Sequence, residues 1–186
     1  CGIGIVVPML MPKIVIGPMS FTLASHVAIF IAMFISPKLA AVVCLGTTLG
    51  FFMTTPVIIA LRAASHICFA LLGAVLIRKI PEIIEKPLPS TVFNGGLAFV
   101  HALAEVAVVS PFFLAGSIFK PEQLADGYVM SVLVLVGVGT FLHSLIDYTV
   151  SIMLWKPVRA ALPSLAELRE SVSYTHLRAH ETRHDL

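Results

Sequence analysis

Charge is scarce in this chain. Lys and Arg number 12 and Asp and Glu 10 among 186 residues, 12% in all, where a soluble domain carries roughly a quarter. With 58% hydrophobic residues and a mean hydropathy of +1.00, there is too little polar surface to clothe a water-soluble fold. A polytopic membrane protein is therefore expected, and in such a protein the net charge of +2 matters less than where the charges stand. Cysteine is also sparse. Cys1, Cys44 and Cys68 show no metal-ligand spacing, and the last two lie in apolar runs, where a thiol behaves as a small hydrophobe. Neither a disulfide, a metal site nor a redox centre is expected. A phosphate-cradling glycine loop is missing as well: Gly95-Gly96 is only a dipeptide in an apolar run, suited to close packing. Hence no nucleotide site, no enzyme chemistry, no cofactor and no nucleic-acid partner is expected.

The two ends read differently from the middle. Residue 1 is Cys, and the first apolar run, residues 2–11, is too short to span, as if the start of a first helix were cut. From about residue 171, VSYTHLRAHET reads as a translated sequencing adapter followed by an index. The expected division is an integral membrane domain over 1–163 and a cytoplasmic tail over 164–186, artefactual from about 171. His176, His180 and His184 belong to that tail and are excluded from functional reasoning.

What the chain does have is long apolar runs. An all-α bundle of six transmembrane helices, the first truncated, follows from them: 2–11, 23–35, 39–53, 54–79, a run from Ser90 to about 119 with a kink at Pro111, and 128–155. Residues 12–22 hold two prolines and a glycine and read as a structured loop. Pro37 is placed to begin a helix, and Ser90 and Thr91 to cap one. The second and third spans are short and carry small residues at four-residue spacing: Ala24, Ala28 and Ala32, then Gly46 and Gly50. Such stripes let helices approach closely in lipid, within the bundle or against another subunit. Six spans put Lys38, Arg78, Lys79, Lys86, Lys156 and Arg159 on one side and Lys13 and Lys120 on the other. The first side is then cytoplasmic, with Trp155 as its interfacial anchor.

Four spans carry ionisable groups at membrane depth: His26; Arg62 and His66; His101 and Glu105; His143 and Asp147. Three of these sets are spaced i, i+4, so each forms one stripe on its helix. An arginine two turns into a span costs about 2.5–3.5 kcal/mol unless it faces protein or water. Depth sorts the set. At ~1.5 Å per residue, Arg62 lies roughly 9 Å and His66 roughly 15 Å below the outer end of their helix. Glu105 on the antiparallel neighbour falls near the same level, and His26 lies close to the outer end of its own helix. His143 is deeper, and Asp147 is expected near the cytoplasmic interface, in helix packing or at a solvated end. One outward-facing site is expected to take contacts from His26, Arg62, His66, His101, Glu105 and His143. A buried guanidinium suits a carboxylate, and histidines and Glu105 suit ring nitrogens or hydroxyls, with Phe69, Phe99 and Phe141 as apolar walls. That chemistry fits a small, polar, anionic ring compound. Interhelical hydrogen bonds, and an Arg62–Glu105 ion pair, would be the purely structural uses of the same groups.

The stretches PMSFTLASHVAIFIAMFISPKLAAVVCLGTTLGFF and RAASHICFALLGAVL resemble the substrate-binding S components of energy-coupling-factor (ECF) vitamin transporters, small six-helix membrane proteins. The likeness covers about residues 2–163. It implies that the first three helices dock on a membrane-embedded T subunit, that the later three and the outer loop hold the vitamin, and that two cytoplasmic ATPases power toppling in a bacterial cell membrane. It places the gate at Lys13, Ser20 and Thr22, subunit docking at Ala24, Ala28, Ala32, Gly46 and Gly50, and the pocket at Arg62, His66, Glu105 and His143. The departure is the first span, where the family's alanine-rich docking motif belongs. Nicotinate, a ring bearing one carboxylate, is the favoured ligand, with pantothenate and other vitamins open. Two readings compete: a stand-alone proton-coupled carrier using Glu105 and the histidines, and a b-type haem protein, which needs two histidines at matching depth on facing helices.

Overall fold

The computed structural model describes residues 13–16, 19–22, 24–117 and 119–161. The expected first span and the tail from 164 lie outside them. The chain enters as an antiparallel hairpin, β1 (Lys13–Ile16) with β2 (Met19–Thr22), in which Lys13 pairs with Thr22 and Val15 with Ser20. The described residues of this stretch are thus extended, as the two prolines and the glycine that argued against helix over 12–22 allow.

Helix α1 (Val27–Ile35) has nine residues, about 14 Å of rise and too little to span alone. The expected second span began at residue 23. It starts later because 24–26 form a turn, with Ala24 at φ +61°. Ser36 ends α1 and caps α2 (Pro37–Thr54): its Oγ accepts from Leu39 N at 3.1 Å, and Pro37 occupies the first turn. Pro56 opens α3 (Val57–Lys79), and a short 3₁₀ turn over Pro81–Ile84 leads to α4 (Pro87–Leu114). Ser90 and Thr91 do not cap α4 as expected. Pro87 starts the helix one turn earlier, so Ser90 Oγ reaches Tyr148 Oη at 3.0 Å and Thr91 Oγ1 donates to Pro87 O at 3.0 Å. The helix also stops at Leu114 rather than near 119, one turn after Pro111. A short α5 (Pro121–Ala125) sits in the polar connection. A π-helical stretch over Val129–Val138 then runs into α6 (Gly139–Ala161). Such widened turns are uncommon and tend to adjoin functional positions; here Thr140 and His143 follow at once.

Four helical stretches are long and apolar enough to cross a membrane: Pro37–Thr54, Val57–Lys79, Pro87–Leu114 and Val129–Ala161. They are inside-out relative to a soluble bundle. Leu45, Leu49, Phe52, Leu103, Leu142, Ile146 and Met153 are exposed, whereas Arg62, His66, His101, Glu105, His143 and Asp147 are buried. Only a hydrocarbon solvent makes that arrangement favourable. The buried stripes recur at helical spacing: 62, 66, 69, 70, 73, 77 on α3; 94, 97, 98, 101, 105, 109 on α4; 140, 143, 144, 147, 148, 151, 155 on α6. At the end away from the hairpin, Phe30 and Phe34 of α1 pack on Phe69, Tyr148 and Trp155, with ring centroids 5.4–5.8 Å apart. The close of α6 is tied to the 3₁₀ turn by Arg159 and Glu85 at 3.2 Å. Arg159 thus lies at the same end of the bundle as the turn that follows Arg78 and Lys79.

Candidate functional site

The polar stripes of α3, α4 and α6 meet at the hairpin end. Glu105 is their hub. Its Oε2 accepts from Arg62 Nε at 3.0 Å, Arg62 Nη2 at 2.6 Å and Thr140 Oγ1 at 2.8 Å. Its Oε1 lies 3.3 Å from His66 Nε2 and 3.4 Å from His101 Nε2, the second without hydrogen-bond alignment. The ion pair raised as the structural use of Arg62 is therefore formed, and the guanidinium is only 8% exposed. Breaking such a pair would leave a buried charge uncompensated.

A second carboxylate organises the other side. Asp147 was expected near the cytoplasmic interface, in helix packing or at a solvated end; it is 0% exposed and holds the start of α1. Its Oδ1 accepts from Ala24 N, and its Oδ2 accepts from His26 N and lies by His26 Nδ1, each at 3.0 Å. His143 Nε2 is 3.3 Å from Oδ2. Because a turn over 24–26 precedes α1, the backbone N–H groups of Ala24 and His26 are open and meet a carboxylate, a favourable pairing at a helix N-terminus.

His26 bridges the two clusters. Its ring contacts those of His66, His101 and His143 edge-on, with centroids 4.5, 4.7 and 5.0 Å away. Phe69 closes the floor against His101 at 4.5 Å. The imidazoles touch directly, leaving no slot between them for a porphyrin, so matched depth does not translate into a haem site. Donor atoms of His26, His66 and His101 all lie within 4.8 Å of one another, as do those of His26, His143 and Asp147. Either group has the composition of a metal-ligand set.

A cavity partly open to solvent lies over these groups. The hairpin end and turn contribute Thr22, Ser25 and His26; α2 contributes Thr47 and Phe51; α3 contributes Ile59, Arg62, Ala63 and His66; Glu105, Thr140 and His143 complete it. Five of the six residues expected to contact a ligand line it, and His101 lies behind them. Of the expected walls, Phe69 is buried beneath the site, Phe99 is 63% exposed and points outward, and Phe141 is half-buried. Phe51 and Ile59 take that place. Thr140 had a signal in the sequence: it precedes His143 by three and Asp147 by seven, on one helical stripe. Thr22 reaches the cavity, while Lys13 and Ser20 are placed only through their backbone pairing. Among the small residues, Ala32 is 3% exposed and belongs to the core, as internal packing allowed; Ala24 stands in the turn, and Ala28, Gly46 and Gly50 are half-buried.

A membrane bundle with a polar hollow at one end is an architecture suited to a solute-binding membrane subunit. The chain is 39% identical over 163 residues, 87% of its own length and 72% of the relative's, to a protein of Lactococcus lactis subsp. cremoris (strain MG1363) named Niacin transporter NiaX. The chain belongs to the S components of ECF vitamin transporters, multi-pass proteins of the bacterial cell membrane. No protein-family model matches the chain. No solved structure matches it either.

Proposed function

We propose that this chain captures niacin, or a closely related pyridine carboxylate, from outside the cell and delivers it through ATP-driven transport with a T subunit and two cytoplasmic ATPases. The observation that carries the ligand class is Arg62: buried at the cavity wall, it gives Nε and Nη2 to Glu105 and has Nη1 left over among the described hydrogen bonds. A guanidinium fork held on one side by a carboxylate presents its other edge to a second one. Ser25, Thr140 and His143 supply short polar contacts for a ring nitrogen, and Phe51 and Ile59 an apolar wall. The relative's name points the same way. The chain acts as a binding subunit with no catalysis of its own, and the hairpin over Lys13, Ser20 and Thr22 acts as its gate. Ala28, Gly46 and Gly50 belong to the side that meets the T subunit.

The test is titration of nicotinate into the purified full chain, with native mass spectrometry to identify any co-purified molecule. Arg62→Ala is expected to weaken nicotinate binding at least tenfold. Unchanged affinity in a folded variant would remove Arg62 from the site. Reconstituted alone under a pH gradient, the chain is expected to show no uptake, and transport there would favour the proton-coupled carrier instead.

A further inference from the structure

The hydrogen bonding of the cluster leaves some buried nitrogens unused. His101 is 0% exposed, and neither of its ring nitrogens has a hydrogen-bond partner among the described residues; Nδ1 of His66 has none either. Unsatisfied buried polar atoms of this kind are rare and call for an explanation. For His101 Nε2 the spacing of the donors offers one. His66 Nε2 and His101 Nε2 stand 3.3 and 3.4 Å from Oε1 of Glu105, and the donors of His26, His66 and His101 are mutually within 4.8 Å. Four ligands at ~2.0–2.1 Å from a tetrahedral zinc ion are separated by about 3.3–3.4 Å. The two carboxylate–imidazole separations thus have the length of a tetrahedral edge.

The surroundings are those of a ligand set. Glu105 has one oxygen fully engaged by Arg62 and Thr140 and the other turned to the imidazoles. His26 Nδ1 faces Asp147 Oδ2 at 3.0 Å, the carboxylate contact by which a metal-bound histidine is oriented and its second nitrogen left with a lone pair. We propose that His26, His66 and His101 bind a transition-metal dication of the Zn²⁺ type at the floor of the cavity, with Oε1 of Glu105 beside the last two. Charge supports it from another side. With neutral imidazoles, one guanidinium faces the two carboxylates of Glu105 and Asp147, an excess of one negative charge around a pocket offered to an anion. A dication reverses that excess. This last point rests on the proposed anionic ligand, whereas the donor geometry does not.

The test uses the full chain purified through a tag without histidine and stripped with chelator. Zn²⁺ titrated by calorimetry is expected to bind with one equivalent, and Co²⁺ to show the ligand-field absorption of a tetrahedral histidine site. His101→Leu, which leaves the cavity lining intact, is expected to weaken Zn²⁺ at least tenfold with the unfolding transition kept, and His101→Cys to restore it. No stoichiometric binding, or equal binding in His101→Leu, overturns the site. Should His101→Leu not fold, replacing His176, His180 and His184 of the tail by Ala decides: an unchanged single equivalent supports the cluster, and its loss assigns the metal to the tail. Nicotinate titrated into metal-free and Zn²⁺-loaded protein separates the two proposals. Zn²⁺ binding without nicotinate binding keeps the metal site and removes the niacin reading. Nicotinate binding in a protein that takes up no metal does the reverse.

Discussion

Along α3, α4 and α6 the interior changes character halfway. On the hairpin side the inward positions are Arg62, His66, His101, Glu105, His143 and Asp147; on the cytoplasmic side the same stripes continue as Phe69, Ile77, Phe93, Leu97, Tyr148 and Trp155, around Phe30 and Phe34 of α1. Both regions are equally buried, yet they are held in different ways. The aromatic half rests on many weak contacts, so that loss of one polar atom leaves the rest in place. The polar half rests on two carboxylates, each serving several donors, and removal of one hub orphans them together. A protein that must open to release a solute can do so more readily where binding energy is concentrated in a few exchangeable charge-assisted bonds than where it is spread through packed rings.

This contrast can be broken at Glu105. Glu105→Leu leaves the Arg62 guanidinium buried without its counter-charge and is expected to destabilise the chain by about 3–5 kcal/mol, measured as thermal unfolding in detergent. The Arg62→Leu, Glu105→Leu double variant removes both charges and is expected to recover most of that stability while binding no nicotinate. A double variant as unstable as the single one would mean that the pair is more than a compensated charge. A smaller effect is expected at Asp147. Asp147→Ala strips the acceptor from Ala24 N and His26 N, at about 1–3 kcal/mol for the buried donors left unmade. Hydrogen exchange should quicken over 24–30 and stay slow in the aromatic half; uniform acceleration would show that the two halves are not separable. The least effect belongs to Tyr148→Phe. It keeps the ring contacts with Phe30 and Phe34 and loses only the bond to Ser90, about 0.5–1.5 kcal/mol, with nicotinate affinity unchanged.

Much of the site was legible because the membrane makes polarity conspicuous. An arginine, two carboxylates and four histidines in apolar runs have no lipid-facing solution, so their i, i+4 spacing already pointed them into one interior. Depth was the weak point. Counting from a last span that ended at 155 put Asp147 near the far interface, whereas that helix runs on to Ala161 and Asp147 meets the start of α1. The second span likewise starts later than expected, at Val27, after a turn at Ala24 with φ +61°. Phe99 was misjudged for a related reason: as a residue two before His101 it sits on the opposite side of α4, and one shared helix was taken for one shared face.

Taken by itself, the order of residues determined that this is a helical membrane protein, which helices carry charge inward, and which family the chain resembles, because transfer to hydrocarbon constrains each segment locally. Only the tertiary structure decided that Glu105 and Asp147 are separate hubs joined by His26, that Phe51 and Ile59 rather than Phe99 wall the cavity, and that the imidazoles of His66 and His101 meet at one carboxylate oxygen. Those are relations among groups from separate helices, up to 123 residues apart in the case of Ala24 and Asp147, and no local preference encodes the rotation and depth at which the helices finally pack.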